Sequence, residues 1–166
     1  LCDSLEREAR LTALGRMIAR QDILRLLGNR LRWVDTFRRH PEIAAGRVVA
    51  PVFILGMPRT GTTSMHELLA LDPQFRVPLS WESDPRIAQV DAELARVDRL
   101  LPEFRNMHPM GATLPQECVA LFAHDFVSMI FDVQFRVSAY QEWVVRQDMG
   151  EVFRNHRRWL QLLQWK

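Results

Sequence analysis

Residues 51–71, PVFILGMPRTGTTSMHELLAL, are the stretch that decides the fold of this chain. Residues 52–55 form a short apolar run rich in β-formers, and Pro51 suits the first position of a strand. Two glycines and a proline between Gly56 and Gly61 exclude a continued strand or a long helix there. An apolar pattern of helical spacing follows the second glycine, with Met65 and Leu68 on its inner face. The stretch therefore predicts a buried strand, a tight loop and a helix.

The loop has the spacing of an anion-binding turn. A strand, a Gly-x-x-x-x-Gly loop and a helix point several backbone N–H groups and a helix dipole at one tetrahedral anion. Gly56 and Gly61 have the Walker A spacing, and Thr63 stands at its Ser/Thr position. Thr62 occupies the position of the Walker lysine, so Arg59 is the only cation of the loop. Because that lysine holds the β- and γ-phosphates, the loop predicts binding of a phosphate-like group rather than ATP or GTP hydrolysis.

These residues resemble the 5′-phosphosulfate-binding loop of the sulfotransferases. Residues 56–63 read GMPRTGTT, and the family form is (Y/G)-x-P-(K/R)-(S/T)-G-T-(T/S). Similar stretches follow at residues 69–73 (LALDP), 81–82 (WE), 108–111 (HPMG) and 114–118 (LPQEC). Together they resemble the bacterial branch that uses 3′-phosphoadenosine 5′-phosphosulfate (PAPS). The similarity runs from about residue 5 to the end of the chain.

The resemblance implies an α/β fold, in which helices wrap a P-loop-type parallel sheet. This portion is then mainly helical, with one or two strands, in a single incomplete sulfotransferase domain over residues 1–166. N-terminal helices occupy 1–47, the strand, phosphosulfate loop and helix occupy 48–71, and a mainly helical acceptor-side region occupies 72–166. The family's W-x-L-K-x-P stretch and its R-D-P…S stretch, which holds the 3′-phosphate, do not occur in these residues. We therefore expect an N-terminal portion that is inactive alone.

The activity implied is sulfuryl transfer from PAPS, without a metal. The acceptor would be a hydroxyl, or an amine, of a small-molecule or lipid-like compound. Arg59 is the predicted catalytic cation, because a fixed guanidinium stabilises charge that grows on the bridging oxygen as the S–O bond breaks. The residues expected to bind the cofactor are Pro58, Arg59, Thr60, Gly61, Thr62 and Thr63.

A general base must take the proton of the acceptor. Glu82 is the predicted base, since tyrosine-sulfating and related relatives use a glutamate at a similar distance beyond the loop. A solvated glutamate, or a helix N-terminal charge favoured by the dipole, explains Glu82 equally well. Glu117, at the start of the helix predicted after Pro115, and His108 remain open as alternatives.

Other interpretations stay open at this point. The chain can be a kinase-like phosphotransferase with a degenerate Walker A loop, or a non-catalytic helical interaction module. The loop threonines can simply cap the following helix. His66 and Glu67 begin a zincin-like H-E-x-x-H pattern, but Ala70 occupies the second histidine position, so no metal site is expected.

Composition narrows the class of protein. The chain has 166 residues and a formal net charge of +2, which fits one globular domain. Its longest apolar run is too short for a transmembrane segment, and isolated Cys2 and Cys118 indicate a reducing compartment. We expect a cytoplasmic protein. Acidic residues interleave with the arginines of the first long helix, which favours a solvated face over a nucleic-acid partner.

Hydrophobic spacing predicts the remaining helices. They cover about 12–39, 85–101, 115–131 and 150–165, and residues 75–79 form a weak second strand candidate. Ser138 with Gln141 predicts a capping box for a further short helix. In the first long helix the apolar residues recur at three and four positions, as Leu24, Leu27, Leu31 and Val34.

Overall fold

The structure is a computed structural model that describes residues 1–57, 60–83, 95, 99, 103, 111 and 113–165. The helices that can be delimited there are α1 (Cys2–Arg7), α2 (Ala13–Arg39), α3 (Thr62–Ala70), α4 (Ser80–Ser83), α5 (Cys118–Phe122), α6 (Ile130–Gln134), α7 (Ser138–Val145) and α8 (Gly150–Gln164). Short 3₁₀ helices cover Pro41–Ala45 and Ala123–Asp125. Contacts divide the chain into a first unit, Leu1–Val48 with Cys118–Lys166, and a second unit, Val49–Glu117.

Helix α2 is the longest element of the first unit, and its predicted limits are confirmed. The hydroxyl of Thr12 caps it by accepting a hydrogen bond from the Gly15 N–H at 3.1 Å, and Pro41 begins the next turn after Arg39. The residues that α2 buries are Ala19, Leu26, Asn29 and Trp33.

The apolar stripe predicted on α2 lies on another face of the helix. Leu24, Leu27, Leu31 and Val34 are all exposed, Leu31 to 71%. Helical spacing identified an apolar face correctly, but the contacts of the first unit use the neighbouring face. The packing partner decides which of two adjacent faces is buried, and periodicity alone does not contain that information.

Two clusters of buried side chains hold the first unit together. The larger joins α1, α2, α6 and α7 through Leu5, Ala19, Leu26, Ala123, Phe131, Val137, Tyr140 and Val144. The smaller contains Trp33, Leu121 and Trp159, and the rings of the two tryptophans stack with centroids 5.6 Å apart. Aromatic burial of this kind contributes more than its contact area alone.

The long apolar helix predicted over 115–131 is wrong. The chain forms α5, the 3₁₀ helix and α6 instead, because Phe126 adopts a left-handed conformation with φ of +55°. Ser128 then turns its hydroxyl to the Val119 carbonyl at 2.7 Å. The capping box at Ser138 is also wrong, since Val137 is the N-cap of α7 and the Ala139 N–H in the first turn donates to the Glu8 carboxylate at 3.0 Å.

The second unit contains α3, α4 and the residues before and between them. No strand is assigned in the described part of the chain, and the pairing found there is an isolated antiparallel bridge between Leu79 and Pro115. Residues 52–55, predicted as a buried strand, run without regular structure, and Leu55 is 89% exposed. Met65 and Leu68 of α3, predicted to face inward, are exposed as well.

A strand is stabilised by the ladder it shares with a neighbour, and the described residues supply no such ladder. The helices given above confirm that this portion is mainly helical. The predicted parallel sheet is not formed by the residues that the structure describes. The helix predicted over 85–101 falls almost entirely outside the described residues. Within the described ranges, no helix is both long and apolar enough to cross a bilayer.

Candidate functional site

The loop before α3 closes tightly over Gly56. A Cβ atom at this position would lie 2.7 Å from Cγ2 of Thr62 and 2.8 Å from Oγ1 of Thr60. Both distances are far below van der Waals contact, and threonine side chains are stiff at χ1. The Thr60 hydroxyl also donates a hydrogen bond to the Met57 carbonyl at 2.6 Å. Position 56 therefore needs glycine so that the loop can fold back on itself.

Gly61 turns the chain from the loop into α3. It is the N-cap of the helix, in the left-handed conformation with φ of +87°, which glycine adopts without steric penalty. The carbonyl of Gly61 accepts the first helical hydrogen bond, from the Met65 N–H at 3.0 Å. The second glycine of the pattern is thus explained by backbone conformation, and the first by a close approach.

Among the described residues, no side chain caps the N-terminus of α3. The first N–H groups of any α-helix lack partners within the helix, and in α2 the Thr12 hydroxyl satisfies one of them. In α3 the Thr60 hydroxyl turns to Met57 and the Thr63 hydroxyl to Glu117. Capping, the alternative explanation of the threonines, is therefore not what these two hydroxyls do. The N-terminus of this nine-residue helix therefore keeps the positive end of its dipole free of a described hydroxyl cap.

A carboxylate lies beside this helix N-terminus. Oγ1 of Thr63 is 3.4 Å from Oε1 of Glu117, a long hydrogen bond in which the hydroxyl donates. The N–H of Glu117 donates to Oε1 of Gln116 at 2.9 Å, which fixes the backbone beneath the carboxylate. Both Thr63 and Glu117 are half-buried. Of the two glutamates, Glu117 is the one with a described contact to α3.

Gln116 connects Glu117 to the start of α4. Its N–H donates to the Pro78 carbonyl at 2.8 Å, and its amide lies 3.4 Å from the Ser80 hydroxyl. The N–H of Ser80 returns a bond to the Leu114 carbonyl at 3.1 Å. The sequence pattern alone indicated no role for Gln116. Its position between Pro115 and Glu117, inside a stretch shared with the family, was the signal that could have identified it.

Glu82 makes different contacts from those expected of a free base. It is the third residue of α4, and its Oε2 accepts a hydrogen bond from the Leu79 N–H at 2.7 Å. Its other oxygen pairs with the Arg76 guanidinium. An acidic residue at this helical position that reaches back to the N-cap N–H is one half of a capping box. The side chain is only 10% exposed. Glu82 thus has a structural function in this unit, and its predicted catalytic role stays a prediction.

The remaining predicted site residues divide into two groups. Thr60, Gly61, Thr62 and Thr63 are brought together around the start of α3, as described above. Pro58, Arg59 and His108 lie outside the described residues. In the portion that the structure describes, no group of three or more His, Cys, Asp or Glu side chains is arranged to hold a metal ion.

Comparison with known proteins identifies the relatives of this chain. The model of the sulfotransferase family matches residues 51–163. The crystal structure of sulfotransferase STF1 from Mycobacterium tuberculosis H37Rv is similar with a TM-score of 0.80 and 30% sequence identity, over 96% of this chain and 47% of that chain. The structure of sulfotransferase STF9 from Mycobacterium avium gives a TM-score of 0.79 and 28% identity, over 98% of this chain and 46% of that chain.

Comparison with curated proteins returned no match. The chain spans about half the length of the two mycobacterial structures. The family match covers the strand-loop-helix stretch and both glutamates discussed above, and the resemblance drawn from the loop motif is confirmed. This chain belongs to the sulfotransferase family.

Proposed function

We propose that this chain forms the 5′-phosphosulfate side of a PAPS-dependent sulfotransferase. The reaction moves a sulfuryl group from PAPS to a hydroxyl, or an amine, of a small-molecule or lipid-like acceptor. Family membership supports the reaction class, and the loop geometry supports the position of the donor. As the chain spans about half of its structural relatives, the activity is proposed for an enzyme that contains it.

The observation that carries the proposal is the uncapped N-terminus of α3. Unsatisfied N–H groups and the positive end of the helix dipole favour an anion at this point. The loop that leads into it folds tightly over Gly56 and enters the helix through the left-handed Gly61. A phosphosulfate presents tetrahedral groups with several acceptor oxygens, which suits a set of converging N–H donors. The residues present therefore fit the 5′ end of PAPS.

Different residues of the loop would bind different parts of the donor. The amides of Thr62 and Thr63 and the neighbouring hydroxyls would bind oxygens of the phosphosulfate, and Arg59 would approach its bridging oxygen. PAPS supplies an activated sulfuryl group whose leaving group is already a stable nucleotide, so no metal is required in this proposal. A guanidinium at the bridging oxygen stabilises the charge that appears there without giving up a proton.

The proton of the acceptor needs a carboxylate or an imidazole within reach. Glu82 is the candidate by analogy of chain position, and Glu117 is the candidate that contacts α3. Both lie in the second unit.

Binding to the ¹⁵N-labelled chain tests the proposed function. Adenosine 3′,5′-bisphosphate should shift the amide signals of Gly61, Thr62 and Thr63, and MgATP should shift them less. Gly61→Ala should weaken the effect, since alanine at φ of +87° is strained by about 1 kcal/mol or more. Gly28→Ala is the matched control, because Gly28 lies within α2 with nothing inside 4 Å of an added Cβ.

The other two interpretations predict different results in the same titration. A kinase-like phosphotransferase would prefer ATP and require Mg²⁺ for it. A helical interaction module would show no shift at α3 with either nucleotide, and this outcome would remove the support for a donor site in the loop.

A further inference from the structure

We propose that Glu117, and not Glu82, accepts the proton of the attacking hydroxyl. The inference rests on the proposed function, since it assigns a role at the same phosphosulfate site. Three observations carry it: Glu117 contacts Thr63, two donors occupy Glu82, and no described cation forms an ion pair with Glu117.

The contact with Thr63 fixes how far Glu117 is from the donor site. Oε1 of Glu117 is 3.4 Å from Oγ1 of Thr63. An anion oxygen that Thr63 holds by an ordinary hydrogen bond lies about 2.8 Å from the same hydroxyl. The carboxylate is therefore within about 6 Å of that oxygen. At the upper end of this range, an acceptor hydroxyl has room between the two, where it would be close enough to attack the sulfur and to give its proton to the carboxylate.

The Thr63 hydroxyl can donate its hydrogen bond either to the anion or to Glu117. A threonine hydroxyl has one proton to donate. When Thr63 donates to an oxygen of the phosphosulfate, it no longer donates to Glu117, and the carboxylate regains a lone pair for the acceptor. Binding of the donor thus makes the base available at the site where it is needed.

Glu82 is less suited to this role. One of its oxygens accepts the Leu79 N–H at 2.7 Å, and the other pairs with Arg76. A carboxylate that is bound by a guanidinium and a backbone amide stabilises α4, and taking up a proton would weaken both interactions. Among the described residues, no cation forms an ion pair with Glu117. Its negative charge is therefore not balanced by a described neighbour.

The proposed step is balanced in atoms and electrons. A lone pair of the acceptor oxygen forms the new O–S bond, while the bond between sulfur and the bridging oxygen breaks. The electrons of that bond stay on the bridging oxygen, which leaves on adenosine 3′,5′-bisphosphate. The proton of the acceptor hydroxyl moves to Glu117, which becomes a neutral carboxylic acid and later releases the proton to water.

The position of Glu117 has a consequence for affinity. A carboxylate within about 6 Å of a bound phosphosulfate repels it, so the residue weakens donor binding while it serves the transfer. Glu117→Gln keeps a carbonyl oxygen that can accept the Thr63 hydroxyl and removes only the charge. We expect this variant to bind adenosine 5′-phosphosulfate about three- to tenfold more tightly at low ionic strength, with the gain shrinking in salt.

Titration of the ¹⁵N-labelled chain with adenosine 5′-phosphosulfate measures this effect. Glu82→Gln is the matched control, because it makes the same chemical change in the same unit. Since the contacts described for Glu82 are with Leu79 and Arg76, this variant should not bind more tightly than the unsubstituted chain. A residue that merely supports the loop would lower the affinity when changed, so unchanged or weaker binding by Glu117→Gln would overturn the inference.

Turnover separates the two glutamates independently. In an active enzyme that contains this chain, Glu117→Gln should lower kcat by roughly 10²- to 10⁴-fold, and Glu82→Gln should lower it less. The opposite pattern would make Glu82 the base. If the unsubstituted chain bound no phosphosulfate at α3, the proposed function itself would be contradicted. That result differs from a wrong assignment of the base, in which the chain still binds the donor.

Discussion

Threonine hydroxyls serve different purposes in different parts of this chain. Thr12 caps α2 with its hydroxyl, whereas Thr60 closes the loop onto the Met57 carbonyl and Thr63 turns to Glu117. A hydroxyl that capped α3 would occupy the N–H groups an anion needs. The glycine at the N-cap avoids that competition, because it supplies the left-handed turn without offering a hydrogen-bonding side chain.

The first prediction concerns Arg59, the only cation in the sequence of the loop. In an active enzyme that contains this chain, Arg59→Ala should lower kcat by roughly 10²- to 10³-fold, as expected for the loss of one preorganised charge-stabilising donor. Arg59→Lys should be much milder, because lysine also occurs at this position of the family's motif. Steady-state assays of the two variants provide the measurement. An alanine variant that turns over at a normal rate would exclude the assigned role.

Among the secondary-structure elements, those predicted correctly are the ones whose structure depends mainly on residues close in sequence. The start of α2 was predictable because a threonine N-cap precedes a long apolar pattern. The loop was predictable because its glycines have conformational or steric reasons that spacing reveals. The site contact between Thr63 and Glu117 was not, because it joins residues 54 positions apart in the chain.

The predictions of two other elements were wrong, in both cases because the interactions that decide the structure lie outside the local sequence. Residues 52–55 have strand propensity, but strands require a ladder that lies beyond the local sequence. Residues 115–131 have a continuous apolar pattern, yet Phe126 turns left-handed and Ser128 and Tyr140 bind the backbone around the break. Tertiary hydrogen bonds outweighed helix propensity there.

The second prediction tests this break between α5 and α6. The hydroxyl of Tyr140 donates to the carbonyls of Phe126 and Ser128 at 3.0 and 3.1 Å and accepts the Ser128 N–H at 3.1 Å. Tyr140→Phe keeps the buried ring but leaves these backbone groups unsatisfied, which should lower the free energy of unfolding by about 1–3 kcal/mol. Urea denaturation monitored by circular dichroism measures the change.

Thr36→Val is the matched control for that substitution. It also removes a hydroxyl that donates to a carbonyl, that of Arg32 at 2.8 Å, but at an exposed site on α2. Its effect should stay within about 0.5 kcal/mol. Equal losses for the two variants would mean that the Tyr140 hydroxyl has no special part in holding the break.

For the whole molecule, buried ionisable groups of the first unit make the free energy of unfolding depend on pH. Burial lowers the pKa of His156 below its ordinary value of 6.5. Burial raises the pKa of Asp125 above 3.8, partly offset by Arg30 and Asn155. The two groups act in opposite directions, so substitution of one of them is what separates their contributions.

The third prediction follows from His156. Below pH 6.5 the unfolded chain binds a proton on this histidine while the folded chain does not, so the free energy of unfolding should fall as the pH drops through 6.5 toward the lower folded pKa. The slope has a limit of about 1.4 kcal/mol per pH unit for one proton. Asp125 acts the other way: the folded state takes up its proton first, and the contribution recovers as the pH approaches 3.8.

Urea denaturation at a series of pH values between 7 and 5 measures the His156 contribution. His156→Gln should flatten the slope, because glutamine does not titrate. Val152→Ala, which removes a buried side chain of the same helix, should lower stability at every pH and leave the slope unchanged. A slope that persists in the glutamine variant would assign the effect to another group.

The last prediction concerns what the 166 residues can do by themselves. The family holds the 3′-phosphate of PAPS with an R-D-P…S stretch that does not occur in this sequence. Each lost hydrogen bond from a charged group to a phosphate costs on the order of 1.5–3 kcal/mol. Calorimetry with the isolated chain should therefore detect only weak binding of PAPS, weaker than micromolar, and no sulfuryl transfer. PAPS and adenosine 5′-phosphosulfate should bind equally, because the proposed site in the loop would contact only the 5′ end that they share. The exposed apolar residues of the second unit, among them Val52, Phe53 and Leu55, should make the sample prone to aggregate at high concentration. Micromolar binding with a clear preference for PAPS, by a monodisperse sample, would mean that this chain contains a 3′-phosphate site of its own.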